Sequence, residues 1–211
     1  MIGKHGTHRG RRTAVRKPAR IIYIYCEGKN TEPAYFKALG DTLDKRITRI
    51  QCIGGVGVPS TVVKKAIEHA KGQGRSNRRG TRKNSFEEDD EIWAVFDCDE
   101  HPCYSAAKQR CIDNKIGCAY SDPCFELWLN LHVEEYDRPD DRKSTQKRTK
   151  QLIPGYDPKR KKTGDFSIII PNTPLAEERA EKQRILRETQ SNKDGHPSTS
   201  VYELSRKIRS R

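Results

Sequence analysis

The chain has 211 residues, of which 33% are hydrophobic and 34% are charged, and its formal net charge is +13. This length allows one domain with a real core, whereas the low apolar share means that much of the chain forms solvated loops and arms. The positive charge favours a phosphate-bearing partner. No apolar run approaches the roughly 20 residues that span a bilayer, and residues 1–20 lack the apolar stretch of a secretory signal, so we expect a cytoplasmic protein and exclude a membrane partner.

The pattern in chain order alternates strands and helices. Residues 1–20 are basic and contain no acid, so they are expected to form a flexible arm. In order, the sequence then predicts a strand at residues 21–26, a helix from Thr31, a strand at 47–53, a helix at 60–71, a strand at 92–96, a helix at 104–114, a strand at 116–120 and a helix at 123–134. A glycine- and arginine-rich insertion at residues 72–84 is expected to be a mobile surface loop. This alternation predicts an α/β fold with a mainly parallel sheet covered on both faces.

Beyond residue 138 the sequence becomes polar and basic. Helices are predicted at residues 142–152, 175–188 and 198–208, with a lysine-rich loop at 156–166, and the last helix is expected to begin with Ser198 and Thr199 as capping residues. The secondary structure of residues 166–170 is ambiguous from the sequence. The predicted organisation is therefore a flexible arm at 1–20, a catalytic core at 21–135 and a basic helical part at 136–211 that packs on the core.

Two acidic turns stand where predicted strands end. Glu27 follows the first strand, and Asp97 and Asp99 follow the strand at residues 92–96. In an open parallel sheet the functional crevice lies beyond the carboxyl ends of the strands, and side-chain alternation leaves the two aspartates on one side. Carboxylates at close range repel one another unless a cation balances them, and Mg²⁺ prefers such oxygen ligands. The three carboxylates therefore predict a Mg²⁺ site, with Mn²⁺ as the alternative ion.

Three further side chains are candidate acids, bases or extra ligands. Glu126 stands in an apolar helical stretch, where it either faces the acidic pocket or pairs with a Lys or Arg beneath the sheet. Glu100 and His101 directly follow Asp99. Histidine as a residue type has a pKa near neutrality, which makes His101 a candidate proton donor, although a surface turn explains both residues equally well. His132, by contrast, is expected to be a structural histidine with satisfied hydrogen bonds.

Basic side chains near the first acidic turn and in two polar segments are candidates for nucleic-acid binding. They are Lys29, then Arg75, Arg78, Arg79 and Arg82, and finally Lys159, Arg160, Lys161 and Lys162. Solvated surface charge is the alternative explanation for each segment, but arm and loops together form the electrostatic pattern of phosphate binding. Aromatic residues are too sparse to indicate base-specific recognition.

The seven cysteines are an odd set without a C-x-x-C pair. This pattern argues against a disulfide scaffold and against a standard zinc module, so small and mostly buried thiols are expected. An irregular Zn²⁺ site is the disfavoured alternative, and its ligands would come from Cys98, His101, Cys103, Cys111 and Cys118.

Three segments resemble signatures of the RloB-like family. They are residues 22–36, I-Y-I-Y-C-E-G-K-N-T-E-P-A-Y-F, residues 90–101, D-E-I-W-A-V-F-D-C-D-E-H, and residues 121–128, S-D-P-C-F-E-L-W, through His132. The resemblance covers residues 20–132 and extends more faintly to residues 197–199. It departs from the family mildly at Asp122, where asparagine usually precedes the proline.

The RloB-like family itself resembles Toprim domains, the catalytic fold of topoisomerases, primases and OLD-type nucleases, in which one glutamate and a D-x-D motif bind magnesium. The resemblance implies that Glu27 matches the Toprim glutamate, an acid or base there, and that Asp97 and Asp99 match the metal-binding aspartates. It also implies a role in phage defence, with a partner protein encoded in the same defence locus. No topoisomerase or primase module is recognisable, so a minimal nuclease is expected.

The resulting hypothesis is a Mg²⁺-dependent endonuclease of DNA or RNA on a Toprim-like α/β fold, with a basic N-terminal arm and a helical C-terminal extension. Metal held by Asp97 and Asp99 would bind the scissile phosphate, and Glu27 would activate or position water. The rival hypothesis is a non-catalytic nucleic-acid-binding or effector-partner protein that retains the fold. A zinc-supported adaptor is the third.

Overall fold

The computed structural model describes residues 19–78, 90–98, 104–160, 163–190 and 195–210, except for the side chains of residues 73–78. The strands of these residues are β1 (Arg20–Cys26), β2 (Thr48–Ile53), β3 (Glu91–Asp97), β4 (Gly117–Asp122) and β5 (Ser198–Thr199). The helices are α1 (Thr31–Asp41), α2 (Pro59–Arg78), α3 (Tyr104–Asp113), α4 (Glu126–Leu131), α5 (Arg142–Leu152), α6 (Thr173–Thr189) and α7 (Val201–Arg209). Two short 3-10 turns, Phe166–Ile168 and Ile170–Asn172, precede α6.

The strands form one sheet in the order β2-β1-β3-β4-β5. Strands β1 to β4 run parallel, and β5 pairs with β4 in the antiparallel direction. The register places Asp97, the last residue of β3, beside Ser121 of β4. Helices cover both faces, so the predicted α/β fold with a mainly parallel sheet is confirmed.

Side-chain alternation along the strands separates two hydrophobic cores. On one face, Ile24 of β1 and Val95 of β3 pack with α1, α4, α6 and α7. On the other face, Ala94 and Phe96 of β3 pack with α2 and α3. Because Asp97 follows Val95 by two residues, alternation places its side chain on the first face, at the carboxyl edge of the sheet.

The C-terminal helices complete the first of these cores. Helix α5 packs against α4, and α6 packs against both α4 and α7. Ala180 of α6 and Leu204 of α7 are fully buried there. Across the described ranges, none of these helices combines the length and the apolar character that crossing a membrane requires.

The segment predicted to be an arginine-rich loop is partly helical. Helix α2 continues to Arg78, so the prediction of a loop from residue 72 is wrong for residues 72–78. Gly72 is exposed inside this helix. A glycine there costs only about 1 kcal/mol relative to alanine, which an established helix tolerates. Arg75 therefore lies within the helix and Arg78 is its last residue.

The last predicted helix begins later than expected. Ser198 and Thr199 form β5, and α7 starts at Val201. The Thr199 hydroxyl oxygen lies 2.8 Å from that of Ser121, and the Ser200 hydroxyl accepts from the Tyr120 N–H at 3.0 Å. These contacts fix the segment to the edge of β4 before the helix begins.

Candidate functional site

The turn after β1 directs Glu27 toward the end of β3. The Glu27 N–H donates to the carbonyl of Val95 at 3.0 Å, which continues the pairing of the two strands beyond β1. Glu27 Oε2 in turn accepts from the Asp97 N–H at 3.2 Å. The structure therefore brings Glu27 and Asp97 together, whereas Asp99 lies outside the described residues.

Asp97 is a buried carboxylate that is held from two sides. Its Oδ1 accepts from the Phe125 N–H at 2.9 Å, and its Oδ2 accepts from Arg142 Nη1 at 3.0 Å. Burial raises the pKa of Asp97 well above its usual range, the negative charges of Glu32 and Glu126 add to the rise, and Arg142 opposes it. The position therefore favours a nearby positive charge.

Glu32, which the sequence analysis did not select, lies at the same place. It is buried in the first turn of α1, and its Oε1 accepts from the Gly28 N–H at 3.0 Å. A Cβ at position 28 would lie within 3 Å of this carboxylate, so a larger residue there would displace the Glu32 side chain. The pKa of Glu32 is raised to about 7, chiefly by burial and in part by the charges of Glu126 and Glu27. The available signal was an acid five residues beyond Glu27, in the first turn of the predicted helix, a pattern that is also typical of ordinary helix starts.

Glu126 lies on the wall of the same cavity and is buried. Its Oε1 accepts from the Tyr156 hydroxyl and, at 3.4 Å, from Gln146 Nε2. Of the two alternatives for this residue, the structure shows the placement that faces the pocket. Within the described residues its hydrogen-bond partners are neutral side chains rather than Lys or Arg.

These side chains line a cavity of about 290 Å³ at the carboxyl ends of β1 and β3, referred to below as the acidic cavity. Its charged lining comprises Glu27, Glu32, Asp97, Glu126, Lys29 and Arg142. Four carboxylates against two basic side chains give the lining an excess of acidic groups.

The donors of the acidic cavity suit a hard divalent cation. Mg²⁺ prefers carboxylate oxygens and usually takes one or two of them together with water and phosphate. Among the residues that the structure describes, no three His, Cys, Asp or Glu side chains are already arranged to hold a metal ion. The donor chemistry therefore fits Mg²⁺ through the adjacent Glu27 and Asp97, without a complete ligand shell from the described residues alone.

The chain as a whole matches one protein family. A family model described as RloB-like protein matches residues 22–208, a range that includes the entire acidic cavity and nearly all of the C-terminal helices. The chain belongs to the RloB-like family. Comparisons of this RloB-like protein with curated proteins and with solved structures gave no match.

The remaining candidate residues of the RloB-like protein are dispersed. Those outside the described residues are Glu100, His101, Arg79, Arg82, Lys161 and Lys162. Lys29 lines the acidic cavity, whereas Lys159 and Arg160 are exposed in the turn after Tyr156. The side chains of Arg75 and Arg78 are not described.

His132 has a structural role. Its Nδ1 lies 2.9 Å from the Trp128 carbonyl oxygen, and its Nε2 lies 3.1 Å from the Tyr35 hydroxyl. Because a carbonyl can only accept, Nδ1 carries the proton and Tyr35 donates to Nε2. Burial lowers the pKa of His132 to about 4 and so keeps the imidazole neutral. This arrangement agrees with the satisfied histidine that the sequence predicted.

The candidate zinc ligands form no recognisable zinc centre among the described residues. Cys98 and Cys111 are buried and Cys118 is half-buried, while His101 and Cys103 lie outside the described residues. The Cys118 thiol donates to Cys111 and thereby lowers the pKa of Cys111. The described cysteines are free thiols, as the odd and unpaired set predicted.

Two residues reach this edge of the sheet from distant positions in the chain. Arg142 contacts Asp97 over a separation of 45 residues, and His196 Nδ1 lies 2.8 Å from Oδ1 of Asp122 over a separation of 74 residues. No local pattern indicates either contact, because each depends on how the C-terminal part packs against the sheet.

Proposed function

We propose that this RloB-like protein hydrolyses phosphodiester bonds of nucleic acid with a divalent, Mg²⁺-type metal. The observation that carries the proposal is the convergence of Glu27, Glu32, Asp97 and Glu126 on one cavity at the carboxyl edge of a parallel sheet. Open α/β sheets place their functional crevices at such edges. Carboxylates alone repel phosphate, whereas a bound divalent ion offsets the negative charge of the lining and offers phosphate a cation to bind.

Asp97 and Glu27 are the residues proposed to hold the metal, joined by Asp99 on the strength of the D-x-D pattern alone. When bound, the metal supplies Lewis-acid stabilisation of phosphoryl charge. Glu27 is proposed to orient the attacking water and accept its proton. Arg142 favours the ionised form of Asp97, and Lys29, on the cavity wall, is the proposed contact for a phosphate oxygen. Mn²⁺ is the alternative ion, since it takes the same oxygen ligands.

The Toprim-like relationship belongs to this proposal. It is supported by a glutamate directly after β1 and an aspartate at the end of the neighbouring parallel strand β3, which is the arrangement that the resemblance implies. The role in phage defence and the partner protein from the same locus are proposed from the RloB-like resemblance. The cytoplasmic location stays a prediction from the sequence.

The decisive experiment incubates plasmid DNA, single-stranded DNA, total RNA and tRNA with the protein and Mg²⁺ or Mn²⁺. The test variant is Asp97→Asn, which removes the charge and keeps the size, and the matched control is Asp113→Asn on the exposed surface of α3. Circular dichroism establishes that all three proteins are folded. We expect the wild type and Asp113→Asn to cleave nucleic acid, and Asp97→Asn to cleave at least 100-fold more slowly. In EDTA none of the three proteins should cleave.

Binding to the same nucleic acids, measured in EDTA, separates this proposal from the non-catalytic alternative. Asp97→Asn is expected to bind as well as the wild type or better, because it removes a charge that repels phosphate. Equal inertness of wild type and variant with every substrate and metal, together with salt-sensitive binding, would overturn the proposal and favour a binding protein.

A further inference from the structure

Helix α5 is a basic helix whose two arginines are occupied by acidic partners. Its sequence, RKSTQKRTKQL, contains no acid. Arg142 binds Asp97 in the acidic cavity, and Arg148 binds Glu134 through Nε at 2.8 Å. The three lysines of the helix are therefore its remaining cationic side chains.

These lysines form an exposed row along α5. Lys143, Lys147 and Lys150 are all exposed. Successive residues of an α-helix turn by about 100°, so the three lie within about 60° of one another around the axis. Lys150 lies 3.6 Å from Asp157, whereas Lys143 and Lys147 form no ion pair with a described residue. The row therefore presents concentrated positive charge to solvent.

One end of the lysine row is next in sequence to a residue of the acidic cavity. Lys143 directly follows Arg142, which is part of the cavity wall. From Lys143 to Lys150 the helix rises by roughly 10 Å, at about 1.5 Å per residue. A nucleic-acid strand carries a phosphate about every 3.4 Å of helix axis, so this length matches several phosphates.

The other end opens into a surface depression of about 560 Å³ whose lining includes Lys150, Tyr156 and Arg160 together with one acid, Asp157. Tyr156 forms part of this depression, and its hydroxyl donates to Glu126 on the wall of the acidic cavity. A single side chain thus links the depression to the cavity, and Arg160 extends the positive charge beyond the helix.

We propose that Lys143, Lys147, Lys150 and Arg160 bind the phosphate backbone of the nucleic-acid strand whose scissile bond lies at the acidic cavity. That the bound strand leads to the acidic cavity rests on the proposed function. The affinity of these four side chains for phosphate rests on their charge alone. Nucleic acid fits better than an anionic membrane because the hydrophobic content of α5 is one residue, Leu152. An interfacial membrane helix needs an apolar face to insert.

The test compares the triple variant Lys143→Gln, Lys147→Gln, Lys150→Gln with the matched variant Lys64→Gln, Lys65→Gln, Lys71→Gln. The control lysines are exposed on α2, which packs on the opposite face of the sheet, and removing them changes the net charge equally. Fluorescence anisotropy measures the binding of labelled DNA and RNA oligonucleotides in EDTA at several salt concentrations. Thermal unfolding establishes that both variants remain folded.

We expect the α5 variant to lose at least tenfold in affinity at low salt. Its slope of log K against log salt should become shallower by about 2, because each lost phosphate contact removes about 0.7–0.9 from the slope. The α2 variant should change the slope by less than a third of this amount. The proposal would be overturned if both variants lost affinity equally, if the α5 variant bound as the wild type does, or if the wild type bound no nucleic acid. Binding to anionic vesicles is measured in parallel, and an α5 variant that lost only vesicle binding would also overturn the proposal.

Because binding is measured without metal, its result is independent of catalysis. A selective loss of binding in an otherwise inert protein would support the lysine row and contradict the phosphodiesterase. Metal-dependent cleavage that the α5 variant retains in full at physiological salt, with unchanged binding, would support the phosphodiesterase and contradict the lysine row.

Discussion

Arg142 Nη1 lies 3.0 Å from Oδ2 of Asp97, although 45 residues of sequence separate the two. Burial and the negative charge of Glu32 raise the pKa of this carboxyl, and the guanidinium is the nearby group that opposes the rise. The ionised form of Asp97, which a metal requires, therefore depends on a residue of the C-terminal part.

Replacing Arg142 by Gln is expected to move metal binding to higher pH. Without the guanidinium the pKa of Asp97 rises further, so protons compete better with the metal. Calorimetric titration with Mn²⁺ between pH 6 and pH 9 should show a steeper loss of binding toward the acidic end than in the wild type. At the alkaline end, where Asp97 is ionised in both proteins, the variant should bind as tightly as the wild type or more tightly, because the guanidinium no longer repels the cation. Arg148→Gln is the control, because Arg148 binds Glu134 and does not line the cavity. An unchanged pH dependence in Arg142→Gln would contradict this role.

Replacing Glu32 by Gln is expected to stabilise the protein at neutral pH. The pKa of Glu32 is raised from 4.5 to about 7, so the folded chain holds its proton where the unfolded chain has lost it. The free energy of unfolding therefore falls as pH rises through this interval, and the neutral amide removes the fall. In urea unfolding without metal, the free energy of unfolding of the variant should equal that of the wild type at the acidic end of this interval. Above pH 7 it should be higher by at most about 3 kcal/mol. Glu68→Gln on the exposed surface of α2 should gain nothing.

Replacing His132 by Gln is expected to change the pH dependence in the opposite sense. The pKa of His132 is lowered from 6.5 to about 4, so the unfolded chain takes up the proton first. Its contribution to stability is complete above the unfolded value and is lost as pH falls toward the folded value. Thermal unfolding curves from pH 4 to pH 7.5 should show a variant that is less stable than the wild type overall. Its stability should fall less than that of the wild type as the pH is lowered through this range. A decline equal to that of wild type would show that His132 is not the titrating group.

The contact between Tyr156 and Glu126 is expected to contribute measurably to stability. The Tyr156 hydroxyl donates to a buried carboxylate oxygen, and removing one partner of a buried hydrogen bond costs about 1–3 kcal/mol. A double-mutant cycle of Tyr156→Phe and Glu126→Leu, which removes the donor and the acceptor respectively, should give a coupling free energy of at least about 1 kcal/mol in urea unfolding. Strictly additive losses would mean that the two side chains do not depend on each other.

The sheet and the meeting of Glu27 with Asp97 were predictable because both follow from local patterns. Strands followed by helices imply parallel pairing, and parallel strands end at one edge. Glu32 and Arg142 were not recognised as parts of the cavity, and Tyr156 was not recognised as a partner of Glu126. Glu32 has the sequence pattern of an ordinary helix start, and the other two reach their carboxylate partners only through the tertiary packing of the C-terminal part.

The two errors in the elements have similar physical reasons. Gly72 and the arginines after it favour a loop by composition, yet α2 is already nucleated and continues through them. Ser198 and Thr199 are good helix-capping residues, but the open edge of β4 offers them backbone pairing. In both places the neighbouring structure outweighs the local preference.

The pairing of β5 with β4 has a consequence for how the molecule is made. Strand β4 leads directly to Phe125, whose N–H holds Asp97, and its outer edge is closed by residues 198 and 199. Translation delivers the chain from its N-terminus, so the first four strands leave the ribosome well before the fifth. Until then the edge beside the acidic cavity offers unpaired backbone groups to any neighbouring chain. Nascent chains of this protein on one messenger therefore expose an open strand edge next to the acidic cavity until residues 198 and 199 have been synthesised.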